Sequence, residues 1–221
     1  MTREYTLMEK FQNWLRYHIW YLVAVAFLLT VGGSMIVNKM HQAKQTGDYC
    51  IAYIGTYELP ADCVAALKAE IAALGKDVYG DGEVTVKINQ YIVGETSGQE
   101  GDASYGRVAE MALLTDITKG ESYFFLVEYP EEFQQDFQLM AHMDGSPSAD
   151  EDFGVWDKVY RWGDCPVLAG LELEDGHQQL LENLYLGRRC FVESGMKIDT
   201  KANRDLWEVL TARASLPNPT E

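Results

Sequence analysis

The chain has 221 residues, 47% of them hydrophobic, which leaves room for one ordinary globular domain beside a membrane segment and too little for two full ones. Its formal net charge of −16 is uneven: residues 1–47 hold five Lys/Arg against two Asp/Glu (+3), and residues 48–221 hold thirteen against thirty-two (−19). So acidic a body argues against nucleic acid and anionic lipid as partners, since both require positive protein surface.

From Ile19 to Val37 the sequence runs nineteen residues without a charge, the length a helix needs to cross a hydrocarbon core of about 30 Å. This predicts a transmembrane helix over 19–37. Arg3, Lys10 and Arg16 precede it while Lys39 and Lys44 follow, a bias that places residues 1–18 in the cytoplasm and the rest outside. Trp14, Tyr17, Trp20 and Tyr21 fall where interfacial aromatics belong. A cleaved signal peptide is the competing reading, because Val31-Gly32-Gly33 offers small residues. The apolar run exceeds the roughly 7–15 residues of a signal core and lacks an A-x-A site, which favours retention. The expected location is the cell membrane, single-pass, with the bilayer as partner through residues 19–37.

Residues 38–47 read as a polar linker, and the extracytoplasmic domain spans 48–216 before a short tail, 217–221. YCIAYIGTY predicts a first strand, stopped at Pro60. ADCVAALKAEIAALG then spaces Val64, Leu67, Ile71 and Leu74 at 3-4-3 and ends on Gly75, which predicts an amphipathic helix over 61–74. Period-two alternation through Val84, Val86 and Ile88 predicts a second strand over 83–93. A glycine-rich loop separates it from a helix over 105–119, closed by Gly120. ESYFFLVEYP is apolar without alternation, the pattern of a strand covered on both faces, and Pro130, Glu131 and Glu132 open another helix. The order β-α-β-α-β-α predicts an α/β fold with a doubly wound, mostly parallel sheet. Beyond Met143 the periodicity fades into loops and short strands until LYLGRRCFVE, a strand, and a last helix over 199–215 capped by Asp199 or Thr200.

Signatures of common enzymes are missing: there is no GxSxG elbow, HExxH pair, Walker loop or complete dinucleotide fingerprint. Asp77, Asp81 and Gly82 match the opening of a calcium loop, but Tyr79 and Ile88 stand where oxygen ligands are required, so the segment reads as a Gly-Asp-Gly turn. Met140, His142 and Met143 read as a helix end with core methionines, not a soft-metal site, and His177 as a surface residue. No cofactor or metal is expected. Cys50, Cys63, Cys165 and Cys190 are even in number, which permits two disulfides in an oxidising compartment and equally fits buried thiols. Trp156, Tyr160 and Trp162 are the candidate ligand or partner contacts, because aromatics crowded into a segment without periodicity can line a site; core packing is the competing explanation.

Residues 111–137, MALLTDITKGESYFFLVEYPEEFQQDF, combine a helix ending in a Gly-acid turn, a buried strand and a new helix start. This resembles the extracellular solute-binding proteins of the periplasmic-binding type II fold, and with the two earlier strands the resemblance covers about residues 48–140. Such proteins bind small solutes between two lobes and deliver them to an ABC transporter, so the resemblance implies a single, shortened lobe. The arrangement is similar to small anchored proteins of Gram-positive bacteria. The chain is too short for a second lobe, is held by a helix instead of a lipid, and carries no matching binding motif. The sequence therefore leads to a membrane-anchored, non-catalytic binding or scaffold domain that meets other membrane or extracytoplasmic proteins. A solute receptor tied to an ABC transporter, and an enzyme built from dispersed Asp and His, are the rivals.

Overall fold

The computed structural model describes residues 7–93, 102–149, 151–190 and 201–216. Two compact units divide the chain, the first over 1–45 and the second over 46–221.

The first unit is a helix, α1 (Leu7–Thr46), about 60 Å long at 1.5 Å per residue. Within it Arg16–Ser34 is long and apolar enough to cross a membrane. The aliphatic hydroxyls in this stretch bond to the helix itself: Thr30 Oγ1 donates to the Ala26 and Phe27 carbonyls and Ser34 Oγ to that of Val31. That is how such groups are tolerated where no water is available. Residues 38–46, expected as a linker, instead continue α1 to Thr46. Gly47, at φ +71°, ends the helix, and a side chain there would press on the Thr85 carbonyl.

The second unit is a mixed α/β domain. Its strands are β1 (Tyr49–Gly55), β2 (Val86–Ile92), β3 (Phe124–Val127), β4 (Val159–Arg161) and β5 (Tyr185–Arg188), in the order β2-β1-β3-β5-β4. β1 pairs parallel with β2 and β3, while β5 runs antiparallel between β3 and β4, so four of the five strands share one direction. The helices are α2 (Ala61–Leu74), α3 (Asp102–Lys119), α4 (Pro130–Phe137), α5 (Pro166–Ala169), α6 (Asp175–Leu181) and α7 (Lys201–Leu210).

Side chains of the central strands alternate between two cores. Tyr49, Ile51, Tyr53, Phe124, Leu126 and Leu186 join Leu67 and Ile71 of α2 and Leu206 and Trp207 of α7 on one face. Ala52, Ile54, Phe125 and Val127 join Leu113 of α3 and Phe133 of α4 on the other. Burial on both faces is why β1 and β3 read as unbroken apolar runs. α2 begins after Pro60 and ends where the Gly75 amide bonds the Ile71 and Ala72 carbonyls. α4 opens on Pro130 with two acids in its first turn and closes at Gln138 in the left-handed region, φ 50°.

The region after Met143 carries more structure than its sequence pattern implies: β4, a 3-10 turn over Trp162–Asp164, α5 and α6. These elements are three to seven residues long, too short for a helical or strand period to develop. His177, expected on the surface, is buried on α6 with Nε2 3.5 Å from Asp62 Oδ2. The expected cap at Asp199 or Thr200, the tail 217–221 and much of the glycine-rich loop lie outside the described residues.

Leu67 is wholly buried beneath α2, so Leu67→Asp should cost about 4 kcal/mol or more by placing an unpaired carboxylate in the core. Lys68→Asp, one position round the helix, should cost about 1 kcal/mol or less. Thermal melts of the two full-length variants in detergent check the assignment; equal losses would contradict it.

Candidate functional site

The aromatic trio does not form one site. Trp162 is 2% exposed, with Nε1 donating to Gln178 Oε1 at 3.0 Å, and belongs to the core on the α2 and α7 side. Tyr160 packs toward the same core, its ring 6.0 Å from that of Trp207. Trp156 lies against the opposite core, edge-on to Tyr185 at 5.7 Å. Trp156 lies in the turn ahead of β4 and Trp162 in the 3-10 turn after it, so only Tyr160 stands on the strand, and only Tyr160 and Trp162 share a core.

All four cysteines are free thiols; Cys50, Cys63 and Cys165 are buried and Cys190 half-buried. Burial pushes the thiols of Cys50 and Cys165 up to about 11 and about 12, and raises that of Cys63, so all three are poor nucleophiles.

Two clusters of ionisable side chains look chemical and prove saturated. In the first, Asp116 of α3 is buried beneath the helix. Its Oδ2 accepts from Tyr91 Oη at 2.8 Å and Ser122 Oγ at 2.5 Å, and its Oδ1 accepts from the Ser122 amide at 3.0 Å and faces Arg189 Nη2 at 3.5 Å. Arg189, 2% exposed, donates Nε to the Ser122 carbonyl and Nη1 to that of Ile117. Burial lowers the guanidinium's pKa and the Asp116 carboxylate opposes that shift. Every member has its partner, so the cluster is a clamp and not a reaction centre.

The second cluster is a ring at the start of β4. His142 Nδ1 lies 2.8 Å from Asp157 Oδ2 and its Nε2 3.6 Å from Asp152 Oδ2. Lys158 Nζ, wholly buried, sits 2.9 Å from Asp152 and 3.7 Å from Asp157, and donates to the Gly154 carbonyl. The lysine ammonium fills the space between the carboxylates that a cation would need. Met140 points instead into the core under Gly187, and Met143 contributes its carbonyl to Arg188 and Trp207. Among the described residues no group of three or more His, Cys, Asp or Glu is placed to hold a metal ion. In the Asp77 turn both carboxylate oxygens accept backbone amides, of Gly80 and Asp81 on one and Gly82 on the other, which organises the loop without a cation.

What the domain presents outward is different. At the carboxyl ends of β1 and β3, the place where an α/β sheet's connections diverge, Tyr57 and Tyr129 are exposed and Glu128 Oε2 accepts the Thr56 amide at 2.6 Å. α3 is the larger feature. Leu113, Asp116 and Gly120 face inward, leaving Val108 at 65%, Met111 at 69% and Leu114 at 44% exposed, with Ala112, Thr115 and Thr118 beside them. The threonine hydroxyls turn back onto the helix, Thr115 to the Met111 carbonyl at 2.8 Å and Thr118 to that of Leu114 at 2.7 Å, so methyl groups face out. Between 108 and 119 the exposed charges are Glu110 and Lys119. α4 and α7 expose mostly charged and polar side chains instead: Glu131, Glu132, Gln135 and Asp136 on the one, Lys201, Arg204 and Glu208 on the other. Sequence reasoning missed this face. The available signal was the Leu113-Leu114 pair beside Val108 and Met111, an apolar arc wider than one helix can bury against one sheet.

No model of a known protein family, no curated protein and no solved structure matches the chain.

The hydrogen bond from Lys158, then that from Ser148, holds the Asp152 carboxyl below its ordinary value of 3.8. A carboxyl lowered on folding adds stability above its unfolded pKa and loses it as pH falls through the folded value. Asp152→Asn should therefore melt below the wild type at pH 7, and the gap should close as the pH falls below about 3.8. Melts of the full chain across that range check it; parallel curves would contradict it.

Proposed function

We infer that this chain is a membrane-anchored, extracytoplasmic scaffold or binding domain without catalytic activity, an accessory part of a membrane complex that works by protein contact. The observation that carries this reading is the outer face of α3, large, apolar and nearly free of charge on a domain of net charge −19. Exposed apolar surface of this kind costs solubility and marks interaction sites more often than chance. The saturated Asp116 and His142 clusters support the non-catalytic part, since each polar group already has its partner. α1 supports the tether, and the more basic residues before Arg16–Ser34 support an orientation with the domain outside. In this reading the domain is a doubly wound lobe like those of solute-binding proteins, used without a second lobe.

A solute receptor linked to an ABC transporter is the second reading. What favours it is the pair of exposed tyrosines, Tyr57 and Tyr129, at the carboxyl ends of β1 and β3. Without an opposing lobe, a small molecule there would stay partly solvated and weakly held.

Two readouts on the full chain test the proposal. Protease added to intact spheroplasts should digest the acidic domain and spare α1. Melting in detergent with pools of sugars, amino acids, short peptides and metal ions should shift by less than about 2 °C, because occupancy at a hundred times Kd would add about 2.7 kcal/mol and shift it more. Full protection would reverse the topology. A shift abolished by Tyr57→Ala or Tyr129→Ala would replace the scaffold with a receptor.

A further inference from the structure

We propose that two copies of this chain meet through α3, packed antiparallel about a two-fold axis lying between Leu114 and Thr115. This rests on the reading of α3 as a docking face, and names its occupant.

The arrangement of residues along the helix carries the proposal. An antiparallel pair centred between 114 and 115 sets residue i opposite residue 229 − i. Met111 then faces Thr118 of the other copy and Leu114 faces Thr115, so each of these two large side chains meets a small one, while Val108 falls at the edge of the contact, opposite Glu121 beyond the end of the helix. The same register sets Glu110 opposite Lys119, the two exposed charges of this stretch, twice over by symmetry. Lys119 already lies 3.5 Å from Glu121, but both are solvated and such a surface pair resists little. A face whose apolar and charged residues complement themselves under a two-fold axis is what an isologous contact requires.

Electrostatics point to the same partner. Two bodies of charge −19 repel wherever their acids approach, and the α3 face is where two such domains meet with least charge between them. A basic partner would gain more on the acidic surface than here. A bilayer surface fits poorly, since helices that lie on membranes carry several Lys and Arg around an apolar face with large aromatics, and the exposed stretch 108–119 has one Lys, an opposing Glu and no aromatic. Size sets the last constraint. The exposed stretch 108–119 is about 18 Å long, and a helix pair that short falls under the roughly 1,000 Å² of a self-sufficient interface. Two chains held in one bilayer by α1 need less, because the tether raises their effective concentration.

The test is disulfide trapping of the full chain in its own membranes. Leu114→Cys lies beside its symmetry mate and, under mild oxidation by copper phenanthroline, should run at twice the 25.0 kDa chain mass and revert with reductant. Val108→Cys, about 20 Å from its mate along the axis, should stay monomeric, as should the wild type with its own cysteines. Adding Met111→Asp should cut trapping about tenfold by burying a charge in the seam. Glu110→Lys should weaken trapping and Lys119→Glu added to it should restore it. These positions are exposed, so unchanged melting shows that each variant is folded. Trapping at 108 and 114 alike would overturn the antiparallel register. A Leu114→Cys monomer whose thiol is shielded from maleimide would overturn self-association in favour of cover by the chain's own segments. A trapped band containing a different protein would overturn self-association and leave the docking face standing, whereas a freely labelled monomer would sink both.

Discussion

A buried ion pair holds α3 to the sheet. Asp116 and Arg189 come from positions 73 residues apart and meet beneath the helix, with Tyr91 from β2 and Ser122 from the entry to β3 completing the hydrogen bonds. Removing either charge would leave the other buried and unpaired, a loss of about 3–5 kcal/mol where the pair is this enclosed. The cost of burial explains why so many donors converge: a carboxylate withdrawn from water needs its lone pairs filled. The turn that makes it possible is Gly120 at φ +65°, which brings the Ser122 amide and hydroxyl back over the Asp116 carboxylate. The clamp fixes which side of α3 faces inward, and so fixes Val108, Met111 and Leu114 outward.

Much of this architecture is legible in the sequence where one physical rule dominates. The 61–74 helix is bounded by Pro60 and Gly75, and the unbroken apolar run at Phe124–Val127 is explained by cores on both faces of the sheet. The antiparallel course of β5 was not legible, because strand direction is set by tertiary pairing and leaves no mark on composition. Nor was the extension of α1 to Thr46, since HQAKQT is polar yet built largely of good helix formers and gives no stop before Gly47. The burial of His177 left no local mark either, since its neighbour at the start of α2, Asp62, lies 115 residues earlier.

The site was less legible than the fold. Proximity in sequence drew attention to Trp156, Tyr160 and Trp162, but the turn that carries Trp156 ahead of β4 sets it against one core while Tyr160 and Trp162 pack on the other. The acids and histidine of the 142–158 segment resemble a metal cluster on paper, but Lys158 stands among them as an internal cation. Conversely, among the described residues the exposed apolar face of α3 contains none with a catalytic or metal-binding signature. It emerges only once Asp116 shows which way the helix is turned.

Under the proposed function, an acidic domain with saturated polar clusters and a charge-poor helix face is organised for contact, and that organisation depends on the Asp116–Arg189 clamp. The most direct measurement is amide hydrogen exchange on the full chain, comparing the wild type with Arg189→Met, which keeps the bulk and removes the charge. The account predicts that the Leu113–Thr118 amides of α3 lose protection well before those of Ile51–Ile54 in β1, since the helix should open locally once its clamp is gone. Unchanged protection of α3, or losses in α3 and β1 that run in step, would contradict it.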